Sequence, residues 1–413
     1  MKKILRIGVW LAWFAAVSTW AQERCLWNQA GRRFYRLNGT YGSAIVNILE
    51  NDAAIVTHHD TVGGTTLVET AFCVLASNWV SQIHSRRQVV AADVLIEVDD
   101  PSCIAQTGQT NSYHAGDDGD LKPGHSWPAR FVVQANTNLV VDALTGLMWT
   151  RNANAGSGTW DIAVGSCYFT PRHGYEDWRL PSVREMESLV DLERVLPAMP
   201  VGFGGAPFNN LQLNYWTGTS DAADTNRAWV LGLGDGTIAR WARTNTTPHY
   251  WPVRSHTTGK APVPKTGQTN SLAIGDDGYL QPGVPWPVPR FTVLSDTNLV
   301  FDNLWGRMWP RKIGLEATTS WMPALDYCAA LEYGGYDDWR LPTRREAWSL
   351  IDFGQPAFLP AGHPFNGAPS TPFWTSSTYR GDTNRAWGIE QGYLGSYPKS
   401  AVGGGVWPVR GEW

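Results

Sequence analysis

Hydrophobic positions recur at helical spacing in two matching places along the chain. In each, a tryptophan, an alanine and a cysteine follow one another at i, i+3 and i+7, which puts all three on one face of a helix. The two sets are Trp160, Ala163, Cys167 and Trp321, Ala324, Cys328. Ser320 precedes the second set and is a favourable N-cap residue. We therefore predict one helix beginning at each tryptophan.

A second helix is predicted directly after each Trp-Arg-Leu-Pro segment. Ser182 with Glu185, and Thr343 with Glu346, have the spacing of a capping box, in which the two side chains bond the backbone amides at the start of a helix. The residues that these helices would bury are Met186, Leu189, Val190, Ala347, Leu350 and Ile351. Short strands that lead into turns are predicted at two equivalent places, 138–142 and 298–302.

Residues 22–103 form a separate, small mixed N-terminal domain to which the sequence assigns no role. Thr66 and Glu69 again have capping-box spacing, and apolar residues then recur at helical spacing, so we predict an amphipathic helix over 67–84. Residues 89–98 are β-branched and alternating, which favours a strand.

The same ordered series of motifs occurs twice after this region. Thr107-Gly-Gln-Thr-Asn returns 159 residues later at Thr266, and Trp178-Arg-Leu-Pro returns 161 residues later at Trp339. Such even spacing indicates two whole domains of one fold rather than a solenoid of short repeats. We place the domains at 104–254 and 266–413, joined by 255–265, whose composition is that of an exposed linker.

Charge and the N-terminal residues bear on where the protein acts. Lys2, Lys3 and Arg6 precede a short apolar run, and Thr19-Trp20-Ala21 offers a cleavage site, so residues 1–21 resemble a signal peptide. An uncleaved membrane anchor is the alternative. The formal charge of −4 becomes about −7 without those three cations, which argues against nucleic-acid binding. We expect a secreted, periplasmic or cell-surface protein with no transmembrane span in the mature chain.

Five cysteines are compatible with an oxidising compartment, but their pairing cannot be derived from the sequence. They are Cys25, Cys73, Cys103, Cys167 and Cys328. The odd count leaves at least one thiol free or paired between chains, and no spacing typical of a zinc site is present.

The motif series resembles the Lcl C-terminal domain family, a former family of unknown function, in two tandem copies. The matching elements are Asp142-x-x-Thr-Gly-Leu-Met-Trp149, the Trp…Ala…Cys helix, Gly-Tyr-x-Asp-Trp-Arg-Leu-Pro, Tyr-Trp-Thr and Pro-Val-Arg. The resemblance implies an α+β architecture of two C-type-lectin-like domains, each with two helices and a small, twisted, loop-rich sheet. In the member that names the family it implies adhesion to sulfated glycans.

The chain departs from that family at one motif. Many members have a cysteine where this chain has Pro252 and Pro408, and the resemblance implies that this cysteine pairs with the one on the first helix. Cys167 and Cys328 therefore lack that partner, and we expect them to be small buried apolar groups. A more distant similarity links Arg340–Trp348 to formylglycine-generating enzymes, but their late cysteine pair is missing, so the similarity supports fold rather than activity.

Candidate ligand-binding residues come from two patterns. Asn226 with Arg227, and Asn384 with Arg385, could hydrogen-bond vicinal hydroxyls or a carboxylate, although a structural loop latch is the favoured interpretation because both copies retain them. Aromatic residues present in one copy only, or in variable stretches, could stack on sugar rings. They are Trp241, Trp305, Tyr379, Tyr393 and Tyr397.

Other residues that recur at equivalent positions of the two copies are interpreted as structural. Trp178 and Trp339 would anchor the core, and Arg179 and Arg340 would hydrogen-bond carbonyls or carboxylates, beside the capping residues already named. Acidic clusters at 117–120 and 276–278 could ligate calcium, but they lack an EF-hand or sugar-lectin pattern, so an Asp-Gly turn is favoured. We predict no metal and no cofactor.

These observations favour an exported, non-enzymatic recognition protein that binds a glycan or a protein at the bacterial envelope or surface. Scattered histidines form no hydrolase constellation. A scaffold module that binds an envelope protein is the alternative, and an enzyme of formylglycine-generating type is a third.

Overall fold

The structure is a computed structural model that describes 104–411, except 125–129, 202–206, 258, 295–297, 368–371 and 391–392, together with seven strands between 25 and 99. The signal-peptide prediction for 1–21 lies outside the described residues. The chain divides into two compact units, Met1–Pro101 with Gly411–Trp413, and Ser102–Arg410.

The first unit contains seven strands and no helix in its described part. They are β1 Cys25–Gln29, β2 Arg32–Arg36, β3 Ile45–Glu50, β4 Ala53–Val62, β5 Thr65–Leu75, β6 Trp79–Val89 and β7 Leu95–Asp99. Three form a sheet in the order β1-β2-β7, and four form an antiparallel meander in the order β3-β4-β5-β6.

The helix predicted over 67–84 is wrong, because this segment spans β5 and β6. The two strands pair antiparallel, with Thr66 opposite Val89 and Leu75 opposite Trp79. The segment is rich in β-branched and aromatic residues, and short apolar runs of this kind fit both periods. Pairing with neighbouring strands then decides between them. The strand predicted over 89–98 is found in part, at Leu95–Asp99.

The second unit begins with the first repeat. Its helices are α1 Asp118–Leu121, α2 Trp160–Tyr168 and α3 Val183–Ser188. Its strands are β8 Phe131–Val133, β9 Leu139–Asp142, β10 Leu147–Thr150, β11 Asn214–Ser220, β12 Arg227–Gly232, β13 Thr237–Ala242 and β14 Val253–Ser255. They make two sheets, in the orders β14-β10-β9-β8 and β11-β12-β13.

The second repeat follows the same plan. Its helices are α4 Asp277–Leu280, α5 Trp321–Ala329 and α6 Arg344–Ser349. Its strands are β15 Phe291–Val293, β16 Leu299–Asp302, β17 Arg307–Pro310, β18 Glu316–Thr319, β19 Phe373–Thr378, β20 Arg385–Glu390, β21 Tyr393–Pro398 and β22 Gly404–Val406. The sheet orders are β15-β16-β17 and β18-β22-β19-β20-β21. The architecture is mixed α and β, with small sheets and short helices.

Local hydrogen bonds define the predicted helices. Both capping boxes are present, at Ser182 with Glu185 and at Thr343 with Glu346, so α3 and α6 begin where the sequence indicates. Helix α2 is capped by Thr159, whereas Ser320 occupies the N-cap of α5 without a side-chain cap hydrogen bond. The tryptophan, alanine and cysteine of each first helix are buried as expected.

Cys167 and Cys328 are free thiols, 0% and 1% exposed, so the expectation that they are small buried groups is confirmed. Burial raises the pKa of Cys167 to about 12 and raises that of Cys328 as well. Within the described part of the chain, these are the two cysteines that the structure shows as free thiols.

The two repeats share one hydrophobic core instead of packing as separate bodies. The ring of Trp229 in the first repeat lies 6.0 Å from that of Trp348 and 5.4 Å from that of Phe353 in the second, both edge-on. These residues belong to one buried cluster that also contains Leu147 and Trp387. The interface between the repeats is therefore built like a domain interior.

The segment 255–265 is exposed only in its first half, which corrects its assignment as an exposed linker. Ala261 is 7% exposed, and its amide donates to the carbonyl of Leu144 at 2.7 Å. The Val284 amide donates to the Val263 carbonyl at 2.9 Å. Packing against both repeats orders residues whose composition alone is typical of a flexible connection.

None of the helices within the described residues combines the length and hydropathy needed to cross a bilayer.

Candidate functional site

The leading segment of each repeat packs against a strand of the other repeat. The segment that carries Thr107, Gln109 and Asp118 contacts strand β19 of the second repeat, where Gln109 Nε2 donates to the Thr378 carbonyl at 2.7 Å and Gln109 Oε1 accepts from the Thr378 amide at 2.9 Å. Ser377 and Thr107 donate their hydroxyls to Asp118 Oδ2. The first repeat thus places the buried polar side chains of Gln109 and Asp118 against β19 of the second repeat.

The reverse exchange uses the equivalent residues. Asp277 Oδ2 accepts hydrogen bonds from Thr219 Oγ1 at 2.6 Å and from Thr266 Oγ1 at 2.8 Å, and Gln268 Nε2 donates to Ser220 Oγ at 3.2 Å. The two repeats are consequently interlocked through Thr-Gly-Gln-Thr and Asp-Asp-Gly segments that the sequence shows only as recurrent motifs.

The two exchanged aspartates are buried acids. Asp118 is 1% exposed and Asp277 is 3% exposed, and burial raises the pKa of each to about 6, against the hydrogen bonds from the neighbouring hydroxyls. Their Oδ1 atoms have no hydrogen-bond partner among the described residues. A carboxyl group in this setting retains its proton more readily than one in water.

The acidic segments do not converge on one ion-binding centre. Asp117 caps α1, with Oδ1 accepting from the Asp120 amide at 2.9 Å and Oδ2 from the Tyr113 amide at 2.7 Å. Asp276 caps α4 in the same way. Each segment forms a one-turn helix rather than the Asp-Gly turn that we predicted. Across the described part of the chain no group of three potential ligands has the geometry of a metal site.

The predicted hydrogen bonds of the Trp-Arg-Leu-Pro arginines are present. Arg179 donates from Nη1 and Nη2 to the two carboxylate oxygens of Glu185, both at 2.6 Å, and Arg340 forms the same fork with Glu346. The tryptophans of these segments, Trp178 and Trp339, are 0% and 2% exposed.

Glu346 differs from Glu185 in having a second arginine. Arg307 Nε donates to Glu346 Oε1 at 2.7 Å. Burial alone would raise the pKa of Glu346, but Arg340 and Arg307 outweigh it and hold the pKa at about 2.

Three of the predicted ligand residues lie near the same end of the sheet β11-β12-β13 in the first repeat. Asn226 and Arg227 are exposed at the start of β12, and Trp241 is half-buried on β13 directly opposite Ala228. The side chain of Arg227 is 53% exposed and forms an ion pair with Asp224 at 3.2 Å. Asp224 Oδ1 also accepts from the amide of Asn226 at 3.0 Å. We call Asn226, Arg227 and Trp241 the first-repeat corner.

The second repeat has an equivalent corner with its arginine engaged. Asn384 is exposed and bonded to Asp382, whereas Arg385 donates to Ser396 from both Nε and Nη2. Tyr397 takes the place of Trp241, opposite Ala386. Its hydroxyl donates to Glu390 at 3.0 Å. Each corner lies where a loop enters a strand, as predicted, and the first is the more open.

The remaining aromatic candidates lie elsewhere. Trp305 is 8% exposed and packs with Ile104 and Leu304. Tyr393 is 37% exposed, and the guanidinium of Arg240 from the other repeat lies 3.7 Å from its ring. Tyr379 likewise crosses between repeats, with its hydroxyl 3.0 Å from Asp235 Oδ2. Tyr379 and Tyr393 both contact the first repeat, so they lie at the junction of the repeats.

Sequence reasoning missed two reciprocal arginines at this junction. Arg184 Nη2 donates to the carbonyls of Ser349 and Ile351, and Arg345 Nη2 donates to those of Ser188 and Val190. These four carbonyls close the ends of α3 and α6, so each arginine satisfies groups that a helix end leaves unpaired. Their occurrence in both copies, 161 residues apart, was the available signal.

A family model described as the Lcl C-terminal domain matches residues 138–254 and 298–410. The two matches together cover more than half of the chain and coincide with the two repeats. No curated protein matches the chain.

Proposed function

The chain belongs to the Lcl C-terminal domain family, and on that basis we propose that it is an exported, non-enzymatic recognition protein that binds a glycan at the cell envelope or surface. The proposal includes export through residues 1–21 and a C-type-lectin-like fold for each repeat. It extends beyond family membership, which by itself assigns no ligand.

The first-repeat corner is the observation that carries this proposal. An exposed amide and an exposed guanidinium lie at the same end of the sheet as a half-buried indole, and these are the groups that hydrogen-bond vicinal hydroxyls and stack on a sugar ring. Arg227 and Trp241 lie on the antiparallel pair β12 and β13, in which Trp241 stands opposite Ala228, the residue after Arg227. Loops on a rigid sheet are a common location for binding residues.

The buried polar groups support a non-enzymatic role. Asp118 and Asp277 each accept hydrogen bonds from hydroxyl groups of both repeats, and neither is more than 3% exposed. These two aspartates lie inside the junction of the repeats, away from solvent, where they do not meet a substrate.

The test is binding of the full-length protein to an array of glycans, with and without calcium. We expect selective binding that Arg227→Ala and Trp241→Ala abolish. Arg194→Ala is a matched control, because Arg194 is 55% exposed and also forms an i,i+3 ion pair with an aspartate. A blank array would overturn the glycan proposal and leave a protein ligand, to be sought by crosslinking.

A further inference from the structure

A cavity of about 250 Å³, which we call the first-repeat cavity, lies where Glu185 and its neighbours in the first repeat meet the segment 255–265 and Gly283 and Val284 of the second repeat. Its lining includes Glu185, Leu147, Thr145 and, at the rim, the exposed Thr257 and Val284. This volume far exceeds the roughly 10–15 Å³ that a single water molecule needs. The cavity therefore has room for a side chain next to a buried carboxylate.

The second repeat fills the equivalent position with its own arginine. Gly146-Leu147-Met148-Trp149 corresponds to Gly306-Arg307-Met308-Trp309, so Leu147 and Arg307 are equivalent, as are Glu185 and Glu346. The side chain of Arg307 is 1% exposed. It donates from Nε to Glu346 Oε1 at 2.7 Å and from Nη1 to the Trp305 carbonyl at 3.2 Å.

The first repeat retains the acceptors without this donor. Among the described residues, Glu185 Oε1 accepts from Arg179 alone, whereas Glu346 Oε1 accepts from both Arg340 and Arg307. Thr145, which corresponds to Trp305, also lines the cavity. Leu147 is directed into the shared hydrophobic core, so it does not replace the guanidinium.

The number of arginines that contact the buried glutamate also differs between the repeats. Around Glu346 there are two arginines, Arg340 and Arg307, while around Glu185 there is only Arg179 in the described contacts. The side chain of Glu185 is 1% exposed. A buried carboxylate is stabilised most by a charged donor whose geometry matches its two oxygens.

We propose that the first-repeat cavity binds a guanidinium group, which takes the position that the Arg307 side chain occupies in the second repeat. The group donates to Glu185 Oε1 and packs against Leu147, Val263 and Val284, which also line the cavity. Its source is either an arginine side chain of a partner or a small free guanidino compound. The site is distinct from the first-repeat corner, so this proposal does not depend on glycan binding.

The experiment is calorimetric titration of the full-length protein with N-acetyl-argininamide. We expect one site per chain, at least about tenfold weaker binding of the uncharged citrulline analogue, and weaker binding of N-acetyl-lysinamide, which lacks the planar fork. Equal binding of the citrulline analogue, or no binding of the arginine compound, would overturn the proposal.

Two variants exploit the repeat. Leu147→Arg should place an internal guanidinium on Glu185, as Arg307 does on Glu346, and abolish titration while circular dichroism and the melting temperature stay close to wild type. Leu147→Met is the matched control and should bind normally. Arg307→Leu should create a second site and change the stoichiometry from one to two. Unchanged binding in a folded Leu147→Arg variant contradicts the assignment.

A third variant avoids the core. Thr257→Trp adds bulk at the exposed rim and should block the probe even if Leu147→Arg does not fold; normal binding of this variant would place the probe elsewhere. Ethylguanidinium distinguishes the sources of the group. Similar affinity for both probes indicates a free guanidino compound, and tighter binding of N-acetyl-argininamide indicates an arginine residue of a partner.

Discussion

Thr219 of the first repeat donates its hydroxyl to the buried carboxyl of Asp277 in the second repeat at 2.6 Å, and Ser377 and Asp118 form the reciprocal bond. The two contacts lie at equivalent positions of the repeats and link residues 58 and 259 positions apart. Each aspartate also receives a threonine hydroxyl from its own repeat. The repeats are therefore joined by matched polar contacts as well as by the shared core.

Removing the Thr219 hydroxyl should weaken this junction. Thr219→Val keeps the shape of the side chain but leaves Asp277 with one hydroxyl donor, which costs about 1–3 kcal/mol for a buried group. Urea unfolding would measure the loss. Thr225→Val, at an exposed position, is the control and should change stability by less than about 0.5 kcal/mol. Equal stabilities of the two variants would contradict the role assigned to Thr219.

Stability should fall as the pH rises from about 4 to about 6. Asp118 and Asp277 have pKa values of about 6 in the folded protein against 3.8 for an ordinary aspartate, so in this window the folded chain holds protons that the unfolded chain has lost. The loss amounts to up to about 3 kcal/mol for each carboxyl. Unfolding by urea across this range measures it, and Asp118→Asn with Asp277→Asn should flatten the curve.

Below about pH 4.5 the pH dependence reverses, and stability should fall as the pH decreases. The pKa of Glu346 is about 2 against an ordinary 4.5, so its ion pairs stabilise the fold above pH 4.5 and are lost as the pH falls toward 2. Together with the aspartates this places maximum stability between about pH 4 and 5. A stability that rises steadily from pH 4 to 7 would contradict the assignment of the aspartates, and one that stays constant between pH 4 and 2 would contradict that of Glu346.

Alanine substitutions at two helical glycines should have opposite effects. A Cβ at Gly119, in the exchanged segment, would lie 2.0 Å from the carbonyl oxygen of Asn111, so Gly119→Ala should displace the segment and destabilise the protein. A Cβ at Gly165 in α2 meets nothing closer than 3.9 Å. Gly165→Ala should therefore be neutral or stabilise by up to about 1 kcal/mol. Thermal melts of the two variants provide the comparison.

Cleavage between the repeats should leave them associated. His256 and Thr257 are exposed, so a protease site inserted there can be cut, while the exchanged segments and the Trp229–Trp348 contact remain buried. We expect the two fragments to co-elute on size exclusion and to separate only in denaturant. Fragments that separate under native conditions would show that the junction is weaker than its contacts indicate.

Cys167 and Cys328 should resist alkylation in the folded protein. Both are buried, and burial raises the pKa of each thiol, so little thiolate forms at pH 8. Peptide mapping after iodoacetamide treatment, with and without denaturant, tests this. Labelling of Cys167 at the same rate in both conditions would contradict the packing of α2.

Elements built from local interactions could be predicted from the sequence. The capping boxes at Ser182 and Thr343 depend on side chains three residues apart, and the first helices depend on one buried face. The position of the Asn226 and Arg227 corner at the start of a strand also follows from nearby turn chemistry. In contrast, 67–84 fits both helical and strand periods, and its neighbours in the sheet decided the outcome.

By itself, the sequence determined two copies of one fold, their family and their helix starts, because these depend on motifs and contacts within a few residues. Only the tertiary structure decided that the copies exchange their leading segments, that Tyr393 packs at their junction and that Leu147 leaves a cavity where Arg307 fills one. These outcomes depend on contacts between residues far apart in the chain. Such contacts form through the complementary shape and charge of surfaces that neither repeat presents alone.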